Sequence, residues 1–388
     1  MTRPPLPVDF DRAPFLVIWE TTRACALACV HCRADAMPRR DPRELTTAEA
    51  FALVDQLQGF APQRPLLVLT GGDPMRRPDL AQIVRHAHAA GLLVALTPSG
   101  TAAATRARLE EFRDAGLSRI AVSLDGPEPD MHDAFRRVRG SYAWTMRIIE
   151  SAIALGLPLQ INTTISRMTL PSLEAMAEAV GKFPLSLWAV FFLVQTGRGA
   201  GLDQVNAEEC ERVLHYLYDL SLTAPFGIKT TEAPQYQRVV RQREEARIQA
   251  GLPTHEVERR RQLRAPRSVN DGNGFVFVDH VGNICPSGFL PVPCGNVRTA
   301  SLVDVYRTSD LFVRLRDTDE LHGKCRRCRF RAVCGGSRSR AFAASGAITA
   351  SDPLCVYTPG PGIEPLVDAV AGQAPPRSGL AAVPLAAP

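Results

Sequence analysis

The chain has 388 residues, of which 45% are hydrophobic and 22% charged, enough for a large α/β domain and a second, smaller one. The formal net charge of +5 is too small an imbalance to indicate nucleic acid binding. Because the first ten residues hold no signal-peptide core and no apolar run approaches about 18 residues, we expect a cytoplasmic protein with no membrane span.

Short apolar runs alternate with amphipathic stretches through the first half of the sequence. The pattern predicts six strands, at residues 15–20, 65–70, 92–97, 119–124, 159–165 and 187–195. It predicts five helices between them, at residues 48–57, 79–90, 105–115, 142–154 and 170–181. Strands joined by helices form a parallel sheet, open or curled toward a barrel, that binds ligands at the carboxyl ends of its strands.

The sequence changes character after about residue 205. Residues 206–222 are predicted to be helical, and residues 235–267 are rich in Arg and Glu, typical of a solvated helix face or, alternatively, of a surface that binds carboxylates. A strand is predicted at residues 275–279. We expect an N-terminal extension over 1–14, a core over 15–205, a helical connector over 206–270, a loop-rich region over 271–358 and a disordered tail over 359–388.

Nine of the ten cysteines fall into two groups, three near the start of the chain and six near its end, of which four form the quartet described below. In a chain without secretion features, such groups indicate metal or redox chemistry. The first group, the cysteine triad, is Cys25-x3-Cys29-x2-Cys32 and directly follows the first predicted strand. Three thiolates can hold three irons of a cubane and leave the fourth open to a small molecule. His31 could add a fourth ligand, so a structural zinc site is the alternative.

The triad resembles the signature of the radical S-adenosylmethionine (SAM) superfamily, C-x3-C-x-φ-C, with His31 at the usually aromatic position φ. The resemblance implies a partial (β/α)6 TIM-like barrel over about residues 15–200 and a [4Fe–4S] cluster on Cys25, Cys29 and Cys32. In this family the open iron binds the amino and carboxylate groups of SAM. An electron, from a reductant such as flavodoxin or ferredoxin, then cleaves SAM to a 5′-deoxyadenosyl radical that abstracts hydrogen from substrate.

Other strand ends match the same family in the same order. Gly71-Gly72-Asp73-Pro74 follows the second strand and resembles the family's Gly-Gly-Glu-Pro element, whose backbone receives the SAM ammonium group. Alone, this tetrapeptide would be an ordinary turn. The resemblance implies catalysis at the triad and SAM contacts from His31, Gly71, Gly72, Asp73, Ser123, Asp125, Asn162 and Arg198.

A second cysteine group lies near the end of the chain. It resembles the SPASM/twitch extension that follows many radical SAM cores, and this resemblance implies one auxiliary [4Fe–4S] cluster with all four irons held by protein. A structural four-cysteine zinc site is the alternative. The group, called the cysteine quartet below, is Cys325-x2-Cys328-x5-Cys334-x20-Cys355.

The three remaining cysteines and one serine limit the number of clusters. A full SPASM domain has a further cysteine where this chain has Ser337. Cys285 and Cys294 are then too few for a second standard auxiliary site, so we interpret them as core residues, with a partial or substrate-facing site as the alternative. Cys210 is likewise interpreted as a core residue.

The residues around the later cysteines narrow the resemblance to a subgroup. Cys285-Pro286-Ser287, Gly295-Asn296-Val297 and Cys334-Gly335-Gly336 resemble radical SAM enzymes of alternative haem and haem-variant biosynthesis. Those enzymes act on tetrapyrrole side chains, for example by oxidative decarboxylation of propionates.

The first hypothesis is therefore a radical SAM enzyme acting on a tetrapyrrole or other carboxylated small molecule. One alternative is a maturase of a ribosomally made peptide. Such enzymes often carry a peptide-recognition domain before the barrel, and the 14 or so residues ahead of the first strand are too few for one. The other alternative is a non-catalytic iron–sulfur or zinc protein.

Overall fold

The structure is a computed structural model that describes residues 9–251, 253 and 269–360. The predicted tail and most of the Arg-rich end of the connector therefore lie outside the described residues. The described strands are β1 Leu16–Glu20, β2 Leu66–Thr70, β3 Val94–Leu96, β4 Arg119–Ser123, β5 Leu159–Ile165, β6 Leu187–Phe192, β7 Gly227–Thr231, β8 Phe275–Val278, β9 Asn283–Cys285 and β10 Gly295–Asn296.

All ten strands belong to one sheet, in the order β10-β9-β8-β1-β2-β3-β4-β5-β6-β7. Neighbours are parallel from β8 through β1 to β7, and the pairs β8–β9 and β9–β10 are antiparallel. The strands β1 to β6 are the six predicted ones, and their parallel arrangement is the predicted partial barrel. The loop-rich C-terminal region adds β8 to β10 to the same sheet, beside β1.

The described residues also form twelve α-helices. They are α1 Thr47–Gln56, α2 Leu80–Ala89, α3 Arg106–Asp114, α4 Pro129–Arg136, α5 Ser141–Ala154, α6 Leu173–Gly181, α7 Ala207–Leu220, α8 Gln235–Gln249, α9 Leu302–Thr308, α10 Asp310–Arg316, α11 Gly323–Arg326 and α12 Arg338–Ser345. Thr46 begins α1 with a reciprocal capping box to Glu49. Within the described ranges, no helix combines the length and apolar character that a membrane crossing requires.

A seventh barrel strand, β7, lies in the stretch predicted to be a helical connector. It pairs with β6 from Leu187↔Gly227 to Phe191↔Thr231. Its sequence, Gly-Ile-Lys-Thr-Thr, contains one large apolar residue and so lacks the apolar run that marks the other strands. The connector is therefore helix, strand and helix over its described part.

Alternating residues of the strands divide the sheet into two faces. Ile120 and Val122 of β4, like Ile161 of β5, belong to the main hydrophobic core with the helices. The intervening residues point to the opposite face, called the inner face below. Ser123 and Asn162 are partners in register, so both predicted site residues lie on this inner face.

Candidate active site

The three triad cysteines lie on a loop that folds back on itself after β1. The backbone N–H of Cys25 donates to the carbonyl of Met37 (2.8 Å), closing the loop. Cys25 and Cys29 are buried with Leu27 in a small apolar cluster separate from the main core, and Cys32 packs beside it. The N–H of Leu27 approaches the Cys25 Sγ at 3.3 Å. The loop thus buries the thiols of Cys25 and Cys29 and leaves that of Cys32 half-buried.

The Gly-Gly segment after β2 supports this loop directly. The N–H of Gly72 donates to the carbonyl of Thr22 (2.8 Å). A Cβ on Gly72 would lie 2.6 Å from the carbonyl oxygen of Ala24, and Gly71 adopts a φ of +142° with a Cβ position only 2.2 Å from the Thr22 oxygen. Only glycines allow the two backbones to approach so closely. This requirement is independent of any contact to SAM.

The side chain of Asp73 is held by hydrogen bonds within the protein. It is fully buried, accepts from the hydroxyl of Thr101 (2.8 Å) and from the N–H of Met75 (3.2 Å), and so caps the short 3-10 turn Pro74–Arg76. Burial raises the pKa of Asp73. A ligand contact from this residue would therefore come from its backbone, as the sequence predicts.

Asp125 follows β4 and forms a buried ion pair with Arg136, the last residue of α4. Asp125 Oδ1 also accepts from the N–H of Thr164 (2.7 Å). Burial alone would raise the pKa of Asp125, but the charge of Arg136 opposes this and the pKa is lowered. Arg136 Nη1 in turn lies 3.6 Å from the Cys29 Sγ. The sequence analysis missed Arg136, although an arginine ending a short helix after a strand-end aspartate is a usable signal.

His31 stacks on Phe135, with ring centroids 4.3 Å apart and an interplanar angle of 15°. Burial, followed by the charge of Arg136, lowers the pKa of His31 to about 3, so the ring is neutral. In the described part of the chain, no three His, Cys, Asp or Glu side chains come together as ligands of a single ion.

Arg198 holds the triad loop from the far side of the barrel, in the 3-10 turn Gly197–Gly201 after β6. Its Nε donates to the carbonyl of Cys29 (3.0 Å) and its Nη1 to the carbonyl of Ala36 (2.9 Å), while its backbone N–H donates to the carbonyl of Cys32 (3.0 Å). Its buried Nη2 has no partner among the described residues. The residue predicted to contact a carboxylate is thus mainly bonded to the loop.

Glu20, which the sequence analysis did not single out, connects the triad loop to the C-terminal region. Its buried carboxylate is 2.7 Å from Arg33 Nη2 and 3.1 Å from His280 Nδ1. Arg33 also stacks on Phe277 at 4.6 Å and donates to the carbonyl of Gly288 (3.3 Å). Burial raises the pKa of Glu20, but Arg33 and His280 more than offset this and lower it. The contacts join segments far apart in sequence.

The cysteine quartet surrounds a single hollow in the C-terminal region, lined as well by Gln235, Arg238, Lys324, Arg331, Gly335, Gly336 and Tyr357. Burial raises the pKa of Cys328, and the charges of Arg238 and Arg329 oppose that rise. Four cysteines around one hollow can be the ligand set of an iron–sulfur cluster or of a structural zinc ion.

The position of the missing cysteine is filled by a helix cap. Ser337 begins α12, where its Oγ accepts from the N–H of Arg340 (3.0 Å) and donates to Glu232 (2.5 Å). Arg340 forms a fully buried ion pair with Asp352 (3.0 Å). Polar side chains thus occupy this corner of the region.

The other three cysteines are protonated thiols in apolar surroundings. Cys210 lies in the main core, as predicted, and burial raises its pKa to about 12. Burial also raises the pKa of Cys285, and that of Cys294 to about 11. The proposed partial site on Cys285 and Cys294 gains no third ligand from the described residues.

Comparison with known proteins gives a consistent family. The sequence model of the Radical SAM superfamily matches residues 19–180. The chain is 40% identical over 353 residues to an AdoMet-dependent heme synthase of Oleidesulfovibrio alaskensis, covering 90% of this chain and 89% of the relative. It is 38% identical over 354 residues to an AdoMet-dependent heme synthase of Methanosarcina barkeri, covering 91% and 99%. Streptococcus suis SuiB bound to precursor peptide SuiA has the same fold, with a TM-score of 0.67, 13% identity and coverage of 89% and 76%.

The structure defines an α/β protein with a parallel partial barrel and three cysteines on the loop after its first strand. The chain belongs to the radical SAM superfamily, since its relatives match it over nine tenths of its length. The resemblance predicted from the triad spacing is thereby confirmed.

Proposed function

We propose that this radical SAM enzyme acts on a tetrapyrrole and decarboxylates its propionate side chains oxidatively. The observation that carries the proposal is the 40% identity, over nine tenths of the chain, to a relative named as an AdoMet-dependent heme synthase. The likeness to SuiB at 13% identity concerns the fold alone. A peptide substrate is the second candidate, and an experiment can distinguish it from a tetrapyrrole.

We infer that the triad holds a [4Fe–4S] cluster. The buried sulfurs, the N–H aimed at Cys25 Sγ and the charge of Arg136 near Cys29 Sγ support an anionic thiolate cluster. Such a cluster, when bound with one open iron, supplies reductive cleavage of SAM and the hydrogen-abstracting radical. A reductant such as flavodoxin or ferredoxin would deliver the electron.

The chain's own residues have two tasks in this proposal. Arg198 and Gly72 fix the loop that carries the triad, because each contacts its backbone. Ser123 and Asn162 on the inner face, with neutral His31 nearby, are the proposed contacts to SAM. The apolar setting of the triad excludes water, which protects a radical reaction from side reactions.

The quartet has a role that follows from electron balance. A propionate converted to a vinyl group gives up one carbon dioxide, one hydrogen atom and one electron. The hydrogen atom leaves with the deoxyadenosyl radical, so the electron needs another acceptor. We infer that the quartet holds an auxiliary [4Fe–4S] cluster, and an oxidised cluster is an acceptor of the required kind.

Anaerobic reconstitution tests the proposal. The reconstituted protein should contain about eight irons per chain, four for each cluster. Incubation with SAM, a reductant and iron coproporphyrin should give 5′-deoxyadenosine and a tetrapyrrole that has lost carbon dioxide and two hydrogens from each reacting side chain. Cleavage of SAM with no change in the tetrapyrrole, together with modification of a peptide, would reject the proposal in favour of a maturase.

A further inference from the structure

The outer face of the triad loop presents very little side chain to solvent. Leu27 is buried together with Cys25 and Cys29. Ala26 and Ala28, which alternate with these three residues, are exposed. Two methyl groups therefore cover this stretch of the loop. Another protein can approach the loop backbone closely here, next to the two buried thiols.

Residues 137–140, which follow α4, lie against this loop. Val138 packs on the small apolar cluster that contains the two buried triad cysteines. The backbone N–H of Gly140 donates to the side chain of Asp133 (2.5 Å), which ties the segment back to α4. The fold therefore fixes the position of this segment beside the triad.

The same segment carries two exposed cations. Arg137 and Arg139 stand on either side of Val138, and neither forms an ion pair with any described residue. The acidic residue of the triad loop, Asp35, is already engaged by Arg198 at 3.4 Å. The exposed surface next to the triad is therefore positively charged.

The chemistry of the superfamily requires an electron at this place. Each cleavage of SAM takes up one electron, which breaks the bond between sulfur and C5′ and leaves methionine and the 5′-deoxyadenosyl radical, while the donor is oxidised by one electron. Because Cys25 and Cys29 are buried, the donor must be held against the loop that covers them. A positive surface attracts a negatively charged protein and speeds its association.

We propose that the exposed face of the triad loop, together with Arg137 and Arg139, is the docking surface of an acidic protein that carries one electron. The alanine methyl groups allow close contact, and the two guanidinium groups pair with carboxylates of the partner. The proposal rests on the triad cluster inferred above and is independent of the identity of the substrate. The two arginines orient the donor and take no part in the reaction of the substrate.

An acidic flavodoxin in its oxidised form is the probe, and calorimetric titration under anaerobic conditions measures its binding to the reconstituted protein. Reversing both charges, in Arg137→Glu/Arg139→Glu, should weaken binding at low salt by at least about tenfold. The neutral pair Arg137→Gln/Arg139→Gln should have a smaller effect in the same direction. Wild-type affinity should fall as the ionic strength rises, and the affinity of the Glu pair should depend less on salt.

Arg85→Glu/Lys182→Glu is the matched control. It changes the net charge by the same amount at two exposed positions, in the second half of α2 and just after α6. Its affinity for flavodoxin, like the iron content and melting temperature of every variant, should stay near the wild-type value. With saturating dithionite, a small reductant that needs no docking surface, all variants should form 5′-deoxyadenosine at the wild-type rate. With reduced flavodoxin, only the variants of Arg137 and Arg139 should be slow.

Four results would overturn the docking surface. The first two are the absence of flavodoxin binding to wild type at low salt, and equal affinity in wild type and the Glu pair when both hold full iron. The third is an equal loss of affinity in the control pair, which would show that net charge alone acts. The fourth is a Glu pair that loses affinity for iron coproporphyrin but keeps it for flavodoxin, which would assign the arginines to the substrate.

The same measurements separate this surface from the proposed function. Flavodoxin binding that depends on Arg137 and Arg139, in a protein that cleaves SAM but leaves tetrapyrroles unchanged, would reject the tetrapyrrole substrate and support the docking surface. Conversion of the tetrapyrrole with dithionite, without any effect of the two arginines on flavodoxin, would support the proposed function and overturn the surface.

Discussion

Replacing Gly72 with alanine tests whether the Gly-Gly segment supports the cysteine loop. The new Cβ would lie 2.6 Å from the carbonyl oxygens of Arg23 and Ala24. Favourable non-bonded contacts of carbon are about 3.5–4.0 Å, so one backbone must move by about 1 Å. Because Ala24 immediately precedes Cys25, that movement displaces the first thiol of the triad.

The magnitude follows from the cost of overpacking. Extra methylene-sized groups in a tightly packed site destabilise by about 1–3 kcal/mol, which is about a 5- to 150-fold change in an equilibrium. Gly181→Ala is the matched control, because a Cβ at Gly181 meets nothing within 4 Å. Its effect on stability should be at most about 1 kcal/mol and of stabilising sign.

Iron counting after anaerobic reconstitution, urea unfolding and 5′-deoxyadenosine formation together measure the effect. Gly72→Ala should unfold at lower urea and lose part of the roughly four irons that a triad cluster holds. SAM cleavage should fall in proportion to the iron lost. Full iron and wild-type stability combined with weak SAM binding would refute this reasoning, and would assign Gly72 to ligand approach instead.

Three further predictions concern the clusters and two buried charges. Alanine at all three triad positions should remove about four irons and all SAM cleavage. Alanine at Cys325 and Cys328 should also remove about four irons but leave SAM cleavage in place. Iron counts and product chromatography check both results. Asp352→Asn should lower the free energy of unfolding by about 3–5 kcal/mol in urea titrations, because it leaves a buried arginine without its partner. Burial lowers the pKa of His280, but Glu20 raises it further, so the net shift is upward. Its protonated ring therefore stabilises the fold fully below about pH 6.5 and loses this effect as the pH rises through the raised pKa. The stability difference between wild type and His280→Gln should therefore shrink as the pH rises above about 6.5.

The strands with apolar runs were predictable from the sequence, and β7 was not. Apolar segments such as Leu66–Thr70 keep their pattern because alternate residues are buried against helices on one side. The strand Gly227–Thr231 lies at the edge of the sheet and has little apolar side chain to mark it. This segment becomes a strand because it pairs with β6, and the local sequence pattern does not reveal that pairing.

The cysteine groups could be predicted because their spacing is local, whereas the charge network around them could not. Arg136 reaches Cys29 from α4, and Arg33 and His280 both contact Glu20 although the three residues lie in separate segments. These contacts form only when the strands take their order in the sheet, and local sequence patterns do not specify that order. The predicted contacts of Asp125 and Arg198 to SAM stay predictions, and both side chains already have protein partners.

The place of β8 beside β1 has a consequence for how the chain is made. The strand that leads into the triad is synthesised early, yet its partner on one side, Phe275–Val278, follows about 260 residues later. At a translation rate of about 5–20 residues per second, that edge waits for tens of seconds. An unpaired strand edge is a template for aggregation, so a nascent chain should need either a chaperone or early helix packing to survive the wait.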